Sequence, residues 1–139
     1  MIQLPYQLDF SHRHFYGGLQ SISVPVTLIS SRSISTEVLA SVDTGSTFCV
    51  FHREYAELLH LDMTSGAEER IATATGSFYC YGHELTVSVF ELEWQAIVYF
   101  AEPESFPANV VGRVGFLDRL QLGITDYEQA VYLGLYDPA

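Results

Sequence analysis

The stretch Val42-Asp43-Thr44-Gly45-Ser46-Thr47 closes a run of alternating residues. Over residues 34–42 every second side chain is apolar or a threonine, which is the period of a strand buried on one face. Asp-Thr-Gly is by itself an ordinary turn sequence, because aspartate caps the backbone and glycine adopts a positive φ. Its setting at the end of a strand favours a functional carboxylate over a simple turn.

A second informative segment lies far downstream, at Val110-Val111-Gly112-Arg113. Two β-branched residues before a glycine indicate a strand that packs tightly beside another backbone. Alone, this segment is an ordinary strand end. Because both segments occur in one chain at this separation, each is a stronger sign of a functional site than it would be alone.

The period of two continues through most of the remaining chain and predicts further strands at residues 21–28, 78–81, 85–89, 94–100 and 130–136. Residues 94–100 are apolar on both faces, so burial on both faces is expected. Helical spacing is confined to residues 115–120 and 52–61, the latter with Tyr55, Leu58 and Leu59 inward. Loops are predicted at residues 64–69 and 101–109. We predict one all-β domain over residues 1–139, a closed, barrel-like sheet of antiparallel strands with one or two short helices.

Composition and charge exclude several classes of function. The 139 residues are 48% apolar, enough for one buried core, and carry a formal net charge of −11. Such a charge predicts no nucleic-acid partner. All six basic residues are arginines, and the absence of lysine excludes Schiff-base and pyridoxal phosphate chemistry.

Location and cofactors are predicted from what the sequence does not contain. The chain has no apolar run of bilayer length and no signal-peptide pattern, so we expect no membrane span. Cys49 and Cys80 form no CxxC pair, which predicts two buried thiols in a reducing compartment, the cytoplasm. We expect no metal and no cofactor.

Taken together, these segments resemble the retropepsin-type aspartic proteases, the single-lobed relatives of pepsin. The resemblance rests on Asp43-Thr44-Gly45-Ser46, on a flap at residues 71–81 with Thr73-Ala74-Thr75-Gly76, and on Val110-Val111-Gly112-Arg113, in family order. Two positions depart from the family pattern. Thr75 stands where related chains often carry asparagine, and Val114 where they often carry aspartate.

The resemblance implies an aspartic endopeptidase that cleaves extended, apolar polypeptide segments. Asp43 would supply half of a catalytic dyad, and Thr44 would bond across a two-fold axis to its counterpart. Gly45 would let the substrate approach closely, and Ser46 would hydrogen-bond the Asp43 carboxylate. The hairpin at Thr73–Gly76 would close over the substrate, while Val110-Val111-Gly112-Arg113 would pack beside the active-site loop.

The sequence holds a single Asp-Thr-Gly, although this chemistry needs two carboxylates. One acts as a base for water and the other as an acid for the carbonyl oxygen, and two close aspartates share one proton. The second carboxylate must therefore come from another copy, in a C2 homodimer. By analogy with the family, residues 1–10 and 131–139 are expected to form the interface.

Two alternatives stay open at this point. One is a non-catalytic dimerisation or peptide-binding module on the same fold, because fold does not dictate function. The other treats Asp43-Thr44-Gly45 as a turn in an unrelated β-barrel. The intact Asp-Thr-Gly triplet favours the enzyme.

Overall fold

The computed structural model describes residues 1–5, 8–18 and 20–136. In this part of the chain, ten strands run in the order β1 (His12–Phe15), β2 (Ser23–Ile29), β3 (Ser35–Val42), β4 (Val50–Phe51), β5 (Ala67–Thr73), β6 (Gly76–Val89), β7 (Leu92–Ala101), β8 (Val110–Val111), β9 (Leu120–Thr125) and β10 (Ala130–Leu135). One α-helix, α1 (Arg53–Leu58), follows β4. Single 3-10 turns lie at Met63–Ser65, Leu117–Arg119 and Asp126–Glu128.

The larger sheet closes into a ring. Its seven strands pair in the order β2-β3-β8-β4-β7-β6-β5, and β2 pairs again with β6. The 14-residue β6 makes this closure possible, because one of its edges pairs first with β5 and then with β2. The predicted all-β, barrel-like fold with a short helix is confirmed. The expectation of antiparallel pairing throughout needs correction, since β3–β8 and β4–β7 are parallel.

The core lies inside this ring and follows the alternation read from the sequence. In β2 every second side chain is fully buried, at Val24, Val26 and Leu28. Phe51 and Phe100 are also fully buried and face each other with ring centroids 6.4 Å apart. Burying a side chain of this size contributes roughly 1.5–3 kcal/mol, so the core holds the ring together without any disulfide.

Three local expectations were wrong. The strands predicted at residues 78–81 and 85–89 are one strand, because Gly82 continues the pairing opposite Tyr99. The predicted loop at residues 64–69 contains a 3-10 turn and the start of β5. β7 is buried on both faces only in its second half, because Ile97 is half exposed.

The helix is shorter than its pattern predicted. It spans Arg53–Leu58 and buries Ala56, with Leu59 buried just after its end. Leu58, expected to face inward, is exposed. Six residues make fewer than two turns, so only one narrow stripe of the helix can face the core.

A second, three-stranded sheet has the order β1-β10-β9. β10 therefore pairs on both edges within its own chain. Parts of the expected dimer interface, residues 6–7 and 137–139, lie outside the described residues. In or beside this sheet several large apolar side chains are exposed, namely Phe10, Phe15, Ile124, Leu135 and Tyr136. The N-terminal side chains Met1, Ile2, Leu4 and Leu8 are exposed as well. No helix among the described residues is long and apolar enough to cross a bilayer.

Candidate active site

The backbone of β8 fixes the position of Asp43. This residue follows β3 directly, and β3 pairs in parallel with β8 so that Val42 lies opposite Val111. The Asp43 N–H donates to the Val111 carbonyl oxygen at 3.0 Å. The Gly45 N–H donates to Asp43 Oδ1 at 2.9 Å, which restrains the carboxylate in a local turn. In the single chain Asp43 is exposed.

Gly112 brings the two predicted segments into direct backbone contact. A Cβ at this position would lie 2.4 Å from the Phe48 carbonyl oxygen and 2.5 Å from that of Ser46. Just beyond it, the Arg113 N–H donates to Ser46 O at 2.9 Å. Only glycine allows this approach. The tight packing predicted from Val110-Val111-Gly112 is therefore present.

Ser46 does not take the role expected of it. Its hydroxyl donates to the Phe48 carbonyl oxygen at 2.7 Å, not to the Asp43 carboxylate. The backbone of Gly45 supplies the bond to that carboxylate. Thr44 is exposed beside Asp43, and its expected partner would belong to another copy of the chain.

Cys49 lies beneath residues 43–47, which follow β3 and are called the Asp43 loop below. Its Sγ accepts from the Gly112 N–H at 3.4 Å and donates to the Val114 carbonyl oxygen at 3.6 Å. Cys49 and Cys80 are both free and buried, so the prediction of two buried thiols is confirmed. Sequence reasoning missed the support that Cys49 gives to the loop, because nothing local in the sequence pairs Cys49 with Gly112.

Burial of the Cys49 thiol predicts a loss of stability at alkaline pH. Burial raises the pKa of this thiol to about 11, with a smaller opposing effect of the Gly112 N–H. The folded chain therefore favours the neutral thiol, and this stabilisation is complete below pH ~9 and is lost as pH rises towards the folded pKa. The stabilisation lost in this way is about 3 kcal/mol.

Urea unfolding of the wild type and Cys49→Ala at pH 8 and pH 10.5 measures this effect. The free energy of unfolding should fall less steeply with pH in the variant. An identical alkaline loss in both proteins would contradict the role given to Cys49.

The predicted flap is the hairpin of β5 and β6. Thr73 pairs with Gly76 across a two-residue turn, Ala74 and Thr75. The Thr73 hydroxyl donates to the Gly76 carbonyl oxygen at 3.1 Å. Gly76 has a φ of +149°, a conformation that L side chains rarely adopt.

A cleft of about 510 Å³ separates the Asp43 loop from this hairpin. Its walls come from the Asp43 loop, the hairpin strands and the segment leading into β8: Asp43, Gly45, Ser46, Thr47, Phe48, Val50, Arg70, Ile71, Ala72, Thr73, Phe78, Phe106, Ala108 and Val110. The hairpin also contacts the far wall, where the rings of Phe78 and Phe106 are 5.2 Å apart. The cleft is open to solvent and lies between the hairpin and the Asp43 loop.

The structure brings part of the predicted site to this cleft: Asp43, Gly45, Ser46, Thr73 and Val110 line it. Gly112 supports the Asp43 loop from behind, and the remaining predicted residues do not line the cleft, namely Thr44, Ala74, Thr75, Gly76, Val111 and Arg113. Sequence reasoning missed Arg70 and Phe106, which reach the cleft only through long-range pairing. Within the described residues, no group of three or more His, Cys, Asp or Glu side chains could hold a metal ion.

Comparison with known proteins identifies the class of the fold. Neither protein-family models nor curated proteins match the chain. A retropepsin-like aspartic protease from Rickettsia conorii has a TM-score of 0.58 and 17% sequence identity, covering 79% of this chain and 88% of that one. The EIAV protease complexed with the inhibitor HBY-793 has a TM-score of 0.50 and 16% identity, covering 66% and 80% respectively.

These likenesses confirm the resemblance stated from the sequence at the level of the fold. The chain has the fold of the retropepsin-like aspartic proteases over most of its length.

Proposed function

We propose that this protein is an aspartic endopeptidase whose active site forms between two copies of the chain. The observation that carries the proposal is the Asp43 carboxylate, restrained by the Gly45 N–H in a cleft beneath the hairpin. The structures with this fold include an aspartic protease solved with an inhibitor. The walls of the cleft are mixed, and their apolar side chains, which include Phe48, Ile71 and Phe106, suit apolar segments of an extended polypeptide.

The need for a second copy follows from the chemistry. Asp43 is the one carboxylate among the residues that line the cleft. In the proposed dimer, the ionised Asp43 accepts a proton from water, whose oxygen attacks the peptide carbonyl carbon. The protonated Asp43 of the partner subunit donates to the carbonyl oxygen. Proton transfer to the amide nitrogen then releases the amine as the C–N bond breaks.

The hairpin is proposed to act as the flap over the substrate. An extended peptide between the hairpin and the Asp43 loop would be enclosed by backbone on two sides, which excludes water during the reaction. The hairpin tip is exposed and meets few neighbours, and a Cβ at Gly76 would contact nothing within 4 Å. Its closure therefore depends on turn geometry more than on packing.

The variant Gly76→Val tests the flap. Because the φ of +149° is strained for valine by about 1–3 kcal/mol, we expect the exposed turn to change its conformation locally and so avoid most of that cost. Peptide turnover, measured as kcat/KM, should fall at least about tenfold, while the melting temperature changes little because the tip is exposed. Ala74→Val is the matched control, since it adds β-branched bulk to the same turn at a residue without a positive φ. A collapsed melting temperature with unchanged turnover per folded dimer would show that Gly76 is structural and not part of a flap.

Dilution tests the proposed dimer. Exposed apolar side chains of the three-stranded sheet, such as Phe15 and Leu135, offer a surface suited to a second copy. If two chains build one site, specific activity should be constant well above the dimer dissociation constant and fall in proportion to concentration below it. Sedimentation velocity at the same concentrations reports the dimer fraction. Constant specific activity in solutions that contain only monomer would contradict the proposal.

The two thiols bear on where the enzyme works. Cys49 and Cys80 are free and buried, which supports our proposal that the protein works in a reducing compartment, the cytoplasm.

A further inference from the structure

One positive charge faces the cleft. Arg70 and Asp43 are the two charged residues among those lining it, and they come from opposite walls, the hairpin and the Asp43 loop. Arg70 lies in the middle of β5, opposite Tyr79 of β6. Its place in the cleft is therefore set by the hairpin itself.

The guanidinium of Arg70 is oriented but not neutralised. Its Nε donates to the Ser77 hydroxyl at 2.9 Å, across the hairpin. This bond uses one of five N–H donors and leaves both terminal NH2 groups for another partner. In the described part of the chain no carboxylate pairs with Arg70, whereas Arg13 and Arg119 each pair with one. Arg32, Arg53 and Arg113 likewise make no ion pair within the described residues, so what distinguishes Arg70 is its place among the residues that line the cleft.

We propose that Arg70 determines substrate specificity by binding an acidic side chain of the polypeptide, a glutamate or aspartate on the flap side of the cleft. This inference rests on the proposed peptidase function and adds the class of substrate. A guanidinium binds a carboxylate through two parallel hydrogen bonds. A lysine ammonium in place of the guanidinium, or a substrate amide in place of the carboxylate, does not form this paired geometry. Elsewhere on this acidic protein a substrate carboxylate is repelled, so the preference should be confined to the position that meets Arg70.

The proposed symmetry adds a second feature. A C2 dimer carries two copies of Arg70, one in each half of the joined cleft. The acidic preference should therefore occur on both sides of the cleaved bond, at matching or nearly matching distances from it. Because the pair is exposed to solvent, its effect should weaken as ionic strength rises.

Cleavage-site profiling of a peptide library tests the inference. The full-length wild type, Arg70→Gln, Arg70→Lys and Arg70→Glu are incubated with peptides of mixed sequence, and products are identified by mass spectrometry. The wild type should prefer acidic residues at defined positions, by about tenfold in kcat/KM for a Glu peptide over its Gln counterpart. Arg70→Gln should bring this ratio close to one, Arg70→Lys should keep part of it, and Arg70→Glu should favour Lys or Arg at those positions. Arg32→Gln, an exposed arginine outside the cleft, is the matched control and should keep the full preference.

The outcomes separate this inference from the function on which it rests. A wild type that cleaves peptides without an acidic preference, or a preference that survives in Arg70→Gln, overturns the role of Arg70 and leaves the peptidase intact. If the wild type cleaves nothing, the proposed function fails. The same library is then captured on immobilised wild type and Arg70→Gln. Enrichment of acidic peptides by the wild type alone supports Arg70 as a carboxylate-binding residue, and equal capture by both overturns it.

Discussion

Replacing Asp43 with asparagine is expected to abolish peptide cleavage while leaving the fold and the dimer in place. The amide oxygen of asparagine can still accept the Gly45 N–H, which Asp43 Oδ1 accepts at 2.9 Å, so the local turn should persist. The amide cannot accept the proton of the attacking water, and both halves of the dyad are lost together. We expect kcat to fall at least about 10³-fold, because general acid–base catalysis contributes 10²–10⁴-fold.

Cleavage of an unstructured, apolar peptide by the purified proteins measures this loss, with circular dichroism and sedimentation as checks on fold and assembly. Asp62→Asn is the matched control, since Asp62 is exposed and lies outside the cleft. Full activity in Asp43→Asn would refute the aspartic protease mechanism. A wild type that binds peptides but never cleaves them would favour the peptide-binding module instead.

Replacing Gly112 with alanine is expected to disrupt the site from behind. The added methyl group would lie 2.4–2.5 Å from two backbone carbonyl oxygens, those of Phe48 and Ser46. Backbone atoms cannot move away as a flexible side chain can, so the Asp43 loop and β8 must separate. Overpacking of this kind costs about 3 kcal/mol or more, and we expect the melting temperature to fall by roughly 10 °C, together with loss of activity.

The control for Gly112→Ala is Gly18→Ala. A Cβ at Gly18 would meet its nearest backbone atoms at 3.6 and 3.7 Å, which is ordinary contact, and its φ is not positive. Thermal unfolding should therefore be close to that of the wild type. If Gly112→Ala melted and cleaved like the wild type, the close contact between the two segments would be wrong.

Local patterns predicted much of the fold. The alternation in β2 and β3 identified strands with one buried face, and the structure buries every second residue of β2. The segment Val110-Val111-Gly112 predicted a tight backbone contact, which Gly112 makes. Both features depend on the type of each residue and on its neighbours in the sequence, so a local pattern is enough to predict them.

Features that depend on distant pairing could not be predicted in this way. Nothing near Arg70 in the sequence indicates that its strand places it opposite Asp43 in one cleft. The Cys49 thiol meets Gly112 across 63 positions of chain. The Ser46 hydroxyl donates to the Phe48 carbonyl oxygen and not to the Asp43 carboxylate, and the residue type alone does not determine which of these acceptors it meets.

The central claim is that two Asp43 carboxylates meet across a two-fold axis. A crystal structure of the protein with a statine-type peptide, whose hydroxyl takes the place of the attacking water, tests it directly. The account predicts a C2 dimer with one Asp43 from each copy within hydrogen-bonding distance of that hydroxyl and of each other, in the cleft beneath both hairpins. A dimer that holds the two Asp43 residues apart, with the peptide bound elsewhere, would contradict it.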